Sequence, residues 1–438
     1  MSTFAEPRSS TRKLVAEPRG STRKLVEAVT AHVLARVGPS AHYAGRQREP
    51  DWGVPLLAML HGTATGPGRQ RRREIARAAV VEWTGRYASH NTAPGLFLGG
   101  LAGNALGLVY GATVEPRLQG IARLAAERVT DWAATAVHPD RDVGFADYDL
   151  LIGPAGVLLS LPSLPCGPPA RWWPLVGHLT RLSDANDLAR LRIGDGDPAD
   201  AWSLGRVNLG LGHGVPGVLA ALIAAHRRAG PAADPEVTAS IGRIAAFLVR
   251  HGRRGEGGMV CWPFATDRPS SGPAPKPTEP DPEPTEPDTE RGEPSAWMEG
   301  HRQAWCYGTP GIAWQLAEAG DVLGDAALRD FGIMAMASLC DAWDDGHLDT
   351  NGTSGRLAIC HGAAGVLAIA DAFALHTGLE PAKRLAEHLH ELLLAELDRV
   401  AELAETNLSL PVGATGILAV LCGREPHRRG WLSTLGLR

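Results

Sequence analysis

Cys306 and Cys360 stand in the same local setting. Each lies two residues ahead of a glycine that opens a Gly-x-x-Gly step, in RQAWCYGTPG (302–311) and CHGAAG (360–365). His361 follows Cys360 directly, and His213 directly precedes Gly214 in NLGLGHGVPG. Two thiols and an imidazole, if brought together, suit a zinc ion that keeps a fourth position open for water or substrate. The spacing is not that of a zinc ribbon, and a lone cysteine on an apolar helix face is ordinarily a packing residue. Cys340 and Cys422 read that way. What joins Cys306, Cys360 and His361 into a candidate metal set is their shared register ahead of the glycine step.

Two further polar residues fall near the same steps. Asp149 lies four residues before Gly153 in ADYDLLIGPAG, with Asp147 beside it. It either orients a protonated His213 or is a helix cap or a solvated loop acid. Arg302 lies four residues before Cys306. Beside a metal it would stabilise a developing oxyanion; otherwise it is a surface arginine.

The elements that must position these side chains are visible as a repeat. GLAGNALGLV, GPAGVLLSL, GVPGVLAALI, GTPGIAWQL, GAAGVLAIA and GATGILAVL open at Gly100, Gly153, Gly214, Gly308, Gly362 and Gly413. The period is near fifty residues, stretched to 94 between Gly214 and Gly308. Fifty residues accommodate two helices and their loops. In the third unit, Val215, Leu219, Leu222 and Ile223 form one helical face, and Ile241, Ile244, Ala245 and Leu248 form another before Gly252. Leu385, Leu389, Leu392 and Val400 repeat the pattern late in the chain. No run of alternating strands appears. One more pair is expected before residue 95, giving six to seven helical hairpins. A helix that starts on glycine approaches its neighbour closely. Convergence of such starts predicts an all-α fold, an α/α toroid of inner and outer helices with these residues on one rim; an open solenoid is the competing arrangement.

Composition sets the limits. The chain has 438 residues, a formal charge of −5 and 44% hydrophobic residues. That fits a globular protein with a real core and argues against a nucleic-acid binder. Six cysteines spread along the chain form no disulfide framework. The first residues carry Arg8, Arg12, Lys13 and Arg19 without an apolar stretch, and no run of 18 apolar residues occurs. Neither a secretory signal nor a membrane span is expected, and a cytoplasmic setting is the default reading. AEPRSSTRKLV (5–15) and AEPRGSTRKLV (16–26) are near copies and read as a flexible duplicated tail over 1–26, ahead of a toroid over 27–438. RPSSGPAPKPTEPDPEPTEPDTERGEP, residues 268–294, reads as a mobile Pro/Glu-rich insertion within that toroid.

With YDLLIGPAG, NLGLGHGVPG, RQAWCYGTPG and CHGAAG in this order, the sequence resembles the lanthionine synthetase C-like family, the cyclases of lanthipeptide (lantibiotic) biosynthesis. The likeness runs from about residue 95 to 425, and the pairing of a W-C-Y-G motif with a downstream C-H-G motif carries it. The resemblance implies an α/α toroid with one zinc ion per chain, held by Cys306, Cys360 and His361. It implies that His213 is the active-site histidine, Asp149 its acidic partner and Arg302 the arginine ahead of the first ligand. It further implies addition of cysteine thiols to dehydroalanine or dehydrobutyrine within a precursor peptide. The partners implied are that dehydrated peptide, with a dehydratase and a transporter in a biosynthetic complex peripheral to the membrane. The length resembles the stand-alone cyclases. The β-rich insertion of some members is not placed in this sequence, and the Pro/Glu stretch and duplicated tail have no counterpart in the family pattern.

Two other functions fit parts of the sequence. A zinc protein of the same fold that binds thiols such as glutathione, or scaffolds partners, would share the metal ligands. A toroidal glycoside hydrolase would need paired carboxylates, for which WDDGHLD (343–349), expected away from the glycine rim, is the candidate.

Overall fold

The computed structural model describes residues 22–37, 51–86, 93–165, 169–194, 202–230, 234–267, 302–348 and 352–438. Most of the duplicated tail and the whole 268–294 insertion lie outside the described residues. The helices are α1 (Thr22–Ala35), α2 (Gly53–Gly62), α3 (Arg69–Arg86), α4 (Leu101–Ala112), α5 (Gln119–Thr135), α6 (Pro154–Ser160), α7 (Trp173–Leu182), α8 (Val215–Ala229) and α9 (Pro235–His251). They continue as α10 (Thr309–Leu323), α11 (Ala326–Asp341), α12 (Gly352–Leu357), α13 (Ala363–Thr377), α14 (Glu380–Ala395), α15 (Leu397–Leu403) and α16 (Ala414–Cys422). The sheet among the described residues is one antiparallel pair, Arg253–Arg254 with Val260–Cys261.

The first glycine of every step is the residue from which an inner helix starts: Gly100, Gly153, Gly214, Gly308, Gly362 and Gly413 precede α4, α6, α8, α10, α13 and α16. Proline follows in α6, α8 and α10, where its missing N–H costs nothing. The second glycine serves close packing. A Cβ there would run into the carbonyl oxygen of Leu96, Leu150, Leu211, Trp305, Ile359 or Leu410 in its own loop, and against the side chain of the loop before it in the ring. Only Gly308, at φ 102°, needs glycine for its backbone conformation as well.

Helices α2, α4, α6, α8, α10, α13 and α16 touch in succession, and α16 returns to α2. This closes the ring and decides against an open solenoid. The first inner helix, α2, starts at Gly53 without a full glycine step; the Gly53 amide is capped by Asp51 Oδ1 at 2.8 Å. The inner helices are largely enclosed by their neighbours, as in α13, where every residue from Ala363 to Phe373 is buried, Asp371 included. The outer helices bury one face: Ile241, Ile244, Ala245 and Leu248 in α9, and Leu385, Leu389 and Leu393 in α14. Leu392 is only half-buried, because the late apolar pattern breaks at Glu396 into α14 and α15. The outer helix beside α16 is α1, which begins at Thr22, inside the second copy of the tail repeat.

Backbone bonds link the loops ahead of the inner helices into a circuit. Leu96 and Phe97 donate to Leu151, Leu150 to Gly212, Leu211 to Cys306, Cys306 to Cys360 and Cys360 to Pro411. Leu410 donates to the Asp51 carboxylate, and Trp52 Nε1 donates to Leu96 at 2.8 Å, completing the circle. The centre is filled by the last residues of the chain. Leu435 O accepts from Trp305 Nε1 at 3.0 Å, and Gly436 O from Trp314 Nε1 and Gln315 Nε2 at 3.1 and 2.7 Å.

Candidate metal centre and acid–base pair

The rim circuit carries the candidate residues in one register. Cys306 and Cys360 are the second residues before Gly308 and Gly362; His213 and His361 are the first before Gly214 and Gly362. Cys306 N donates to Cys360 O at 3.2 Å, so adjacent loops hold the two thiols side by side. One ligand atom each from Cys306, Cys360 and His361 lie within 4.8 Å of one another. Both cysteines are buried and His361 is partly open. No other such group of three occurs among the described residues.

Burial pushes the Cys306 thiol up, but hydrogen bonding with Cys360, the His361 imidazole and the Arg302 guanidinium reverse this and hold it well below its ordinary value. Arg302 Nη2 lies 3.9 Å from Cys306 Sγ. Two soft donors and one borderline donor, converging with an open side at His361, fit zinc. Among the described residues, Cys261, Cys340 and Cys422 contrast with this, each raised by burial. Burial pushes the Cys340 thiol up to about 12 and raises Cys422, whose Sγ lies 3.5 Å from Thr30 Oγ1.

Asp149 uses its two carboxylate oxygens separately. Its Oδ1 accepts from the amides of Ile152 and Gly153, each at 2.8 Å, at the start of α6. Its Oδ2 lies 2.6 Å from His213 Nδ1. Asp149 is fully buried, while the His213 side chain is 33% exposed. A carboxylate at this distance accepts a hydrogen bond from the Nδ1 proton and so favours the tautomer protonated on Nδ1. Phe145 lies against the imidazole with ring centroids 4.8 Å apart, and Tyr148 Oη donates to His213 O at 2.9 Å. Gly212 brings the loops together: a Cβ there would lie 3.5 Å from Cys306 Cβ.

Three supporting residues escaped the reading of the sequence. Tyr307 occupies the register position of His213 and His361, and that coincidence was the available signal. Burial pushes its phenol up, and its Oη accepts from Asn208 Nδ2 at 2.8 Å. Gln303 Oε1 accepts from Thr309 N at 2.8 Å, capping α10. Trp305 ties the Cys306 loop to the chain's end, a contact 130 residues apart that no local pattern announces.

The acidic stretch after α11 lies nearer the rim than expected, because Gln303 N donates to His347 O at 3.0 Å. Its carboxylates are nonetheless occupied separately. Asp344 Oδ1 caps Gly346, whereas Asp345 Oδ1 holds His388 Nε2 at 2.8 Å and Trp343 Nε1 at 3.2 Å. This is not the facing pair that glycoside hydrolysis uses. No helix among the described residues is long and apolar enough to cross a membrane.

The family model described as lanthionine synthetase C-like protein matches residues 181–429, a stretch holding His213, Arg302, Cys306, Cys360 and His361. Among solved structures, nisin cyclase matches with a TM-score of 0.68 at 18% identity, over 95% of this chain and 98% of that one. That likeness is one of fold, the helical toroid. A search of curated proteins finds no match.

Proposed function

Because the chain belongs to the lanthionine synthetase C-like protein family, we propose that it is a zinc-dependent peptide cyclase that forms lanthionine or methyllanthionine thioethers. The observation that carries this reading is the convergence of Cys306, Cys360 and His361 on one point beside a histidine oriented by a buried carboxylate. A scaffold or a simple thiol-binding site would need the metal ligands; it would have no use for the Asp149–His213 pair.

Cys306, Cys360 and His361 would hold the zinc ion. When bound, zinc supplies an open position that draws in a thiol and lowers its pKa, so that sulfur reacts as a thiolate. The sulfur attacks the β-carbon of a dehydroalanine or dehydrobutyrine in the same peptide. The C–S bond forms as the alkene's electron pair moves to the neighbouring carbonyl oxygen, giving an enolate. Protonation of the α-carbon completes the thioether. The proton lost from sulfur balances the proton gained by carbon, so no oxidant, reductant or phosphate donor is consumed. His213 moves a proton at Nε2, and buried Asp149 fixes its tautomer and steadies its charge. Arg302, whose Nη2 lies 3.9 Å from Cys306 Sγ, would stabilise the enolate oxygen with its guanidinium.

The test begins with metal analysis of the purified chain. One zinc per chain in the wild type, lost in Cys306→Ala and in Cys360→Ala, is the expected result. Incubation with a synthetic peptide bearing one dehydroalanine and one cysteine should leave the mass unchanged and abolish alkylation of the thiol by iodoacetamide. Folded wild type that binds no zinc overturns the reading.

A further inference from the structure

Three residues other than glycine adopt positive φ among the described residues: Leu98, Asp142 and Leu188. Two have evident reasons. An aspartate tolerates the left-handed region, and Leu188 is fully buried, so packing holds it. Leu98, at φ 55°, is 71% exposed. Its side chain does not serve the core, and its backbone would favour glycine.

The surrounding loop forces the conformation. Trp52 Nε1 holds Leu96 O, Leu96 and Phe97 donate to Leu151 O at 3.0 Å, and Asn104 Nδ2 holds Gly99 O at 2.8 Å. Phe97 stacks on Trp52 with centroids 5.7 Å apart. A strained residue that its neighbours over-determine, while gaining nothing from burial itself, is typical of a binding surface.

The position of Leu98 says what binds. It stands two residues before Gly100, the register of Cys306 and Cys360. Half-buried Leu151 holds the same register in the next loop, and Gly212 in the one after. A Cβ on Gly212 would lie 3.5 Å from both Leu151 Cδ1 and Cys306 Cβ. Three hydrogen-bonded loop steps of roughly 4.8 Å each separate Leu98 from Cys306, about the reach of four extended residues at roughly 3.5 Å apiece.

We propose that Leu98, with Leu151 beside it, is a specificity-determining contact for the peptide substrate, taking an apolar side chain within about four residues of the cysteine held at the metal centre. This rests on the cyclase reading for the identity of the occupant. The contact selects among peptides and takes no part in bond making.

The experiment compares zinc-loaded wild type with Leu98→Gly. The probes are two fluorescein-labelled nonapeptides with a central cysteine and one dehydroalanine, flanked throughout by leucine in one and by serine in the other. Anisotropy should show wild type preferring the leucine peptide about tenfold. Leu98→Gly should reduce that preference to about twofold or less, with zinc content unchanged and the melting temperature equal or higher, because glycine relieves the backbone. A preference that survives Leu98→Gly, or is absent in wild type, overturns the proposal. So does a loss of preference accompanied by a lower melting temperature, which would make Leu98 a structural residue. Iodoacetamide alkylation of the same samples separates the two readings. Selective binding without thioether formation sinks the cyclase and keeps the contact; thioether formation without selectivity does the reverse.

Discussion

At the end of the toroid where the inner helices begin, Cys306, Cys360, His361, His213 and Arg302 line a partly open rim. At the end where they finish, acids and arginines meet in closed groups. Arg424 grips both Asp371 oxygens at 2.9 and 2.7 Å, and Arg429 adds a bond to Ala368 O at 2.9 Å. Arg227 and Arg438 both meet Glu318. At the far end each carboxylate is shared by two arginines, Asp371 by Arg424 and Arg429 and Glu318 by Arg227 and Arg438, so that opposite charges answer one another. At the rim one ligand atom each from Cys306, Cys360 and His361 share one focus, a possible metal-binding group. Charge-bearing side chains alone do not mark a site; the direction in which their partners lie does.

Four experiments test this contrast, in descending order of effect. Cys306→Ala and Cys360→Ala should each abolish zinc binding, and activity with it, while circular dichroism reports a retained helical fold; retained zinc in either variant would break the rim's side of the comparison. His213→Ala should lower kcat by about 10²- to 10⁴-fold with zinc content unchanged. Asp149→Asn, which keeps an oxygen for the α6 cap, should lower it by about 10- to 100-fold. Asp371→Ala should leave turnover per folded molecule intact but cost about 3–5 kcal/mol in urea unfolding, because it strands Arg424 and Arg429. A catalytic defect larger than the stability defect would show that the base is not merely structural.

The smallest effect concerns pH. Burial, aided by Arg72 and Arg428, holds His61 down to about 4, and burial brings His178 to about 4. His61 Nε2 and His178 Nδ1 have no hydrogen-bond partner among the described residues. Both imidazoles are depressed below the unfolded value near 6.5. Their contribution is therefore complete above pH 6.5 and is lost as pH falls towards 4, by up to roughly 3 kcal/mol each. Urea midpoints measured from pH 7.5 to 4.5 should decline through this window, and His61→Gln should flatten the decline.

The residues differ in how far the sequence disclosed them. Register alone aligned Cys306 with Cys360 and His213 with His361, because one glycine contact recurs in every loop and locks the residues ahead of it in phase. Inner helices were marked by their glycine starts, whereas the apolar pattern gave α8 a single face like that of α9, although every residue from Val215 to Ile223 is buried. Closure was not: it depends on Asp51 meeting Leu410, 359 residues away, and on α1 serving as the outer partner of α16. Trp305 and Gly436 meet only in three dimensions. The alternatives for Asp149 could not be separated locally, because one carboxylate oxygen caps the start of α6 while the other contacts His213. The acidic stretch was misplaced relative to the rim because a loop's path back from an outer helix leaves no periodic trace.

The pairing of α1 with α16 also orders the protein's birth. Translation at about 5–20 residues per second releases α1 roughly 20–80 seconds before α16 exists. Through that interval Val26, Val29, Val33 and Leu34, all buried in the finished protein, can already pack on α2 and α3, which α1 also touches. The contact between α1 and α16 forms only once α16 has been made. Until then the face of α1 that α16 covers must be sheltered by transient contacts of the chain or by a chaperone.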